Sequence, residues 1–127
     1  MESERNCGDE NYCAAFGEHT GISRWCRKEI HQIKDNDPNL MGFSLESEDA
    51  EQFSDLAWEL LGCYIANNEH LEKVNLAHCR RTDSNVALLF RGLTEGIKIK
   101  SLDLSGNEFG IDGIRSMVPF LKNSRNL

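Results

Sequence analysis

The chain has 127 residues, enough for one small domain, and carries a net charge of −7 with 39% hydrophobic residues. That balance excludes the clustered basic footprint of a nucleic-acid-binding domain. No apolar run is long enough to cross a bilayer, and no charged-then-apolar leader opens the chain. The expectation is therefore a cytoplasmic protein without a membrane partner, the nucleus also being open to it.

The charge is unevenly spread: −3 over residues 1–39, −7 over 40–70, where Lys and Arg are absent, and +3 over 71–127. A solvated acidic helix face is the simpler account of the middle segment, ahead of a cation site. Residues 1–19 mix Glu, Asn, Gly and Cys without apolar periodicity and read as a poorly ordered arm. Over residues 20–39, Ile22, Trp25, Cys26, Ile30 and Ile33 recur at helical spacing. This predicts a capping helix from Ser23 to Lys34, capped by Thr20 or Ser23 and stopped before Pro38. Its Trp25 face should cover the open end of the structure built from residue 40 onward.

From Leu40 one pattern recurs: Leu40-Met-Gly-Phe43-Ser-Leu45, Leu71-Glu-Lys-Val74-Asn-Leu76 and Ile99-Lys-Ser-Leu102-Asp-Leu104. The units run over 40–70, 71–98 and 99–126, and a fourth would start at Leu127. A fixed period in this range marks a repeat architecture. Each unit reads as strand, loop and helix. The first helix is expected after Ser47, with Ala50, Phe53, Leu56, Ala57, Leu60, Leu61 and Tyr64 or Ile65 as its buried stripe. The second begins near Thr82 or Asp83, buries Val86, Leu89, Phe90 and Leu93, and stops at Gly96. The third runs from about Asp112 to Leu121 with a kink at Pro119. Alternation points Val74, Leu76, Leu102 and Leu104 inward and Lys73, Asn75, Ser101, Asp103 and Ser105 outward. Strands separated by helices must pair in parallel. Val74 and Leu102 should thus occupy equivalent rungs of one curved sheet, strands inside and helices outside.

Leu102-Asp-Leu104-Ser-Gly-Asn107-Glu-Phe109 and the adjoining Gly110-Ile-Asp-Gly113-Ile114 resemble a leucine-rich repeat of the ribonuclease-inhibitor type, across residues 40–127. The phrasing of residues 116–127 and Asp35-Asn-Asp-Pro38-Asn-Leu40 also resemble repeat proteins abundant in unicellular algae. The resemblance implies an α/β, right-handed solenoid, a partial horseshoe with an N-terminal capping helix. It implies that Asn107, and Cys79 one unit earlier, form a ladder with neighbouring backbone; the first unit has Glu48 there, a departure. It further implies a non-catalytic scaffold that holds a protein on the concave strand face, through Ser44, Glu46, Lys73, Asn75, His78, Ser101, Asp103 and Ser105, with Gly42 and Ala77 beside them. No aromatic residue stands among these, although binding hot spots favour Trp, Tyr and Arg. Longer members regulate small GTPases or act as ubiquitin-ligase adaptors, which is the alternative reading. An uncapped last unit would expose Leu102 and Leu104, so the chain is expected to be part of a longer array or to self-associate there.

Other chemistry is weaker in the sequence. The five cysteines, Cys7, Cys13, Cys26, Cys63 and Cys79, form an odd set, expected to be reduced thiols. Cys7, Cys13, His19 and Cys26 could supply four soft zinc ligands, but the close Cys-x2-Cys pair of structural zinc is missing. Reduced cysteines in a loose arm fit better, and no cofactor is expected. His78 beside Cys79, and Cys26 with His31, are the thiol–base pairings; neither has the relative orientation a nucleophile and its base need. Gly106, Gly110 and Gly113 lack the Gly-Lys-Ser/Thr ending of a phosphate loop. Trp58, Tyr64 and Phe90 read as core rather than a cofactor pocket. Glu51, Asp55 and Glu59 read as an exposed acidic face. No catalytic residue is assigned.

Overall fold

A polar stretch without periodicity starts the chain, yet Asp9–Phe16 forms a helix, α1. In this computed structural model, which describes residues 9–79, 83–93, 99–107, 110 and 115, Ala15 and Phe16 at its end are each 1% exposed. The loose-arm expectation for residues 1–19 is therefore corrected over α1. Two buried side chains anchor the helix, too few to register as a period. Phe16 meets Phe53 edge-on at 5.5 Å between ring centroids, and Phe53 meets Trp58 at 4.8 Å. Such pairs contribute about 0.5–1.5 kcal/mol each beyond area burial.

After a single 3-10 turn, Glu18–Thr20, helix α2 covers Arg24–Lys34. Ser23 caps it by accepting from the Cys26 amide at 3.2 Å. Ile22, Cys26, Ile30 and Ile33 are buried, as the spacing predicts, but Trp25 is 67% exposed. Its expected role as a cover is corrected: the stripe through Ile22, Cys26 and Ile30 leaves Trp25 at its margin. A clasp joins the end of α2 to the loop before the second strand. Asn68, almost fully buried, donates to the Ile33 carbonyl at 3.0 Å and accepts from the His70 and Leu71 amides. Asn36, at φ 59°, accepts from the Glu69 amide.

Three strands come next, β1 (Gly42–Ser44), β2 (Lys73–Asn75) and β3 (Ser101–Asp103), all parallel and in the order β1-β2-β3. Phe43 stands opposite Val74, and Val74 opposite Leu102. Between β1 and β2 lie a four-residue helix α3 (Ser47–Ala50) and the long α4 (Asp55–Asn67). Sequence predicts one helix capped by Ser47. Instead the chain breaks at Glu51–Ser54, and Ser54 caps α4 by accepting from the Ala57 amide. Between β2 and β3 lies α5 (Asp83–Gly92). Helix α4 is buried along most of its length because α1, α2 and α5 all pack on it. Gly62 on α4 and Gly92 on α5 let their backbones touch: a Cβ on Gly62 would fall against the Leu89 carbonyl, and one on Gly92 would lie 2.5 Å from the Cys63 amide nitrogen.

The described residues thus form a small mixed α/β domain of five α-helices and one short three-stranded parallel sheet. This corrects the expected leucine-rich-repeat solenoid. Three strands of three residues are too few for one, and the crossovers differ, with helices of 4 and 13 residues in the first and one of 10 in the second. One core centred on α4 replaces a series of like units sealed by their neighbours. The third helix expected over 112–121 with its Pro119 kink, the Thr82 start, the Gly96 stop, and the fourth unit and self-association at Leu127 lie outside the described residues.

Candidate functional site: the open face of the sheet

Alternation along each strand leaves one face of the sheet with no helix packed across it among the described residues. Gly42, Ser44, Glu46, Lys73, Asn75, His78, Ser101, Asp103 and Ser105 are exposed there and Ala77 is half-buried, while Phe43, Val74 and Leu76 face the core. The register groups the exposed residues into rows, Gly42–Lys73–Ser101 and Ser44–Asn75–Asp103. Neighbouring strands lie about 4.8 Å apart, so each row crosses roughly 10 Å of surface.

Helix α2 turns this face into a groove of about 640 Å³, because Ser23, Trp25 and Glu29 rise along one side of it with Cys26 at their foot. Glu46, Asp49 and Asp103 complete an acidic lining in which Lys73 is the one ammonium among the described residues. Asp49 holds the wall in place, its two oxygens accepting from the Ser23 amide at 2.8 Å and the Ser23 hydroxyl at 2.9 Å. Asp103 Oδ1 accepts from the Ser105 hydroxyl and amide, at 2.7 and 3.0 Å. Those bonds hold its carboxyl below the usual carboxylate range. Glu29 is shifted the other way, upward, by partial burial.

Cys26 forms part of the groove floor, only 5% exposed, and its thiol is pushed up to about 12 by burial and then by the Asp49 and Glu29 carboxylates. At neutral pH it stays a thiol, which is a poor nucleophile. His31 pairs instead with Asp35 at 2.9 Å and packs on the Tyr12 ring. The second thiol–base pairing is also separated. Cys79 is fully buried and its Sγ donates to the Leu45 carbonyl at 3.2 Å, while the adjacent His78 is exposed at φ 57°.

The ladder residues sit below the groove. Asn107 Oδ1 accepts from the Cys79 amide at 3.1 Å, and Nδ2 donates to the carbonyls of Leu76 and Leu104 at 2.8 and 3.0 Å. Of the candidate zinc set, Cys13 lies exposed on α1, His19 on the 3-10 turn and Cys26 on α2; Cys7 lies outside the described residues. Among the described residues no three His, Cys, Asp or Glu side chains gather as a metal site. Cys13, Cys26 and Cys79 are free, whereas Cys63 is disulfide-bonded, which corrects the uniformly reduced expectation for that residue.

Of the eight residues expected to bind a partner, Ser44, Glu46, Lys73, Asn75, Ser101 and Asp103 line the groove and His78 and Ser105 do not; Trp25, Glu29 and Asp49 line it from outside the strands. Sequence reasoning misses Trp25 because its helical spacing suits a buried stripe as well as a rim. No helix among the described residues is long and apolar enough to cross a membrane. No protein-family model matches the chain, and no curated protein matches it.

Proposed function

We propose that the chain is a non-catalytic protein-binding module whose partner docks on the open face of the sheet. The observation that carries this reading is the groove itself: a polar sheet floor beside an exposed tryptophan. Trp is enriched at the energetic centres of protein interfaces, and the strand residues alone lack such an anchor. The thiol–base pairings are held apart and the groove cysteine stays protonated, which favours binding over chemistry.

The test is partner capture by the wild-type chain, by Asn75→Arg on the open face, and by Glu69→Arg away from the groove. A partner identified with the wild type and purified should bind the Glu69 variant normally and lose affinity for the Asn75 variant. Equal binding to both would place the partner elsewhere on the molecule.

A further inference from the structure

The groove's charge narrows the kind of partner it fits. Among the described residues four carboxylates, from Glu29, Glu46, Asp49 and Asp103, line the groove with one ammonium, Lys73, and a second, Lys28, lies at the rim over Trp25. The carboxylates differ in availability. Asp49 is engaged by Ser23 through both oxygens. Asp103 uses one oxygen for Ser105, and the Glu29 and Glu46 carboxylates have no hydrogen-bond or ion-pair partner among the described residues. The field of these acids converges on the floor, where Asp49, Glu29 and Glu46 all act on the Cys26 thiol.

Trp25 at the rim already holds a cation of the chain itself. Lys28 Nζ lies 5.2 Å from the centre of its ring, an arrangement that attracts ammonium and guanidinium groups to aromatic faces. The floor between Trp25 and Asp103 is made of short side chains, Ser44, Asn75 and Ser101. An extended chain advances about 3.3 Å per residue and presents alternate side chains to one face, so a few residues span the three strands. A nucleic acid or an anionic lipid surface would meet repulsion here.

Resting on the reading that the open face binds protein, we propose that the groove takes an extended, Lys- and Arg-rich segment of a partner protein, its cations meeting Glu29, Glu46 and Asp103. Lys73 then works against binding and sets a limit on how densely the partner segment is charged.

A labelled peptide of alternating Arg and Ser, compared with a Glu and Ser peptide of equal length, tests this on the full chain by fluorescence anisotropy. The Arg peptide should bind and the Glu peptide should not. Glu46→Lys and Asp103→Lys should each weaken binding about three- to tenfold, as expected for exchanging an exposed attraction for a repulsion. Lys73→Glu should tighten it by a similar factor, and Glu69→Lys, an equal charge change outside the groove, should alter it less than about twofold. Circular dichroism melts of these surface variants confirm that each is folded. Equal effects of the groove and Glu69 reversals would overturn the proposal, as would weakening by Lys73→Glu or binding of the Glu peptide. If the captured partner still depends on Asn75 while the Arg peptide fails to bind, this inference falls and the docking face stands.

Discussion

Cys79 and Asn107 are joined across 28 residues of chain, the amide of the first donating to the side-chain oxygen of the second at 3.1 Å. The same Asn107 side chain donates to the carbonyls of Leu76, just after β2, and Leu104, just after β3, so one residue satisfies backbone groups in two successive turns. Asn107→Leu should leave those groups unpaired and lower stability by about 1–3 kcal/mol. Chemical denaturation measures it, and Asn107→Asp, which keeps the acceptor for the Cys79 amide but turns a carboxylate oxygen toward the Leu76 and Leu104 carbonyls, should also destabilise.

Much of this arrangement is legible in the sequence. The equal spacing of Leu76 to Leu104 and Cys79 to Asn107 gives the pairing of Val74 with Leu102, and period-two alternation gives the exposed face. What a period gives is register, not the number of units or the form of the crossovers, and the solenoid is an extrapolation past that. Helix α1 is illegible because Phe16 is held by Phe53, a tertiary contact with no local signal. The break before α4 is hidden because Ser47 and Ser54 both suit a cap, and packing chooses Ser54 for the long helix.

Phe16→Ala should destabilise the fold by about 3–5 kcal/mol, since it removes a fully buried aromatic from the core. Trp25→Ala, at a largely exposed position, should change stability by less than about 0.5 kcal/mol. Thermal and denaturant melts of the two variants separate an anchoring residue from a surface one.

The α4–α5 contact predicts a sharp contrast between glycines. Gly62→Ala drives a methyl group into the Leu89 carbonyl and should cost about 1–3 kcal/mol or more through backbone displacement. Gly42→Ala, whose added carbon would meet its nearest neighbour at 3.9 Å, should be nearly neutral by the same denaturation assay.

Cysteine labelling reads the groove floor. At neutral pH Cys13, which is exposed, should be alkylated while Cys26 and Cys79 remain unmodified. The folded chain keeps the Cys26 proton through a range where the unfolded chain, near 9.0, releases it. The stability from this site is therefore complete below about pH 9 and falls as pH rises toward about 12. Cys26→Ala should flatten that alkaline decline in melts taken across the range.

The proposal that the groove docks a partner is tested most directly by chemical-shift mapping of the isotope-labelled chain titrated with the Arg and Ser peptide. Shifts should concentrate on Ser44, Asn75, Asp103 and the Trp25 indole, with Trp58 and Glu69 unmoved. Shifts centred on the α4–α5 surface near Glu59 and Arg91, with the open sheet face silent, would contradict the account.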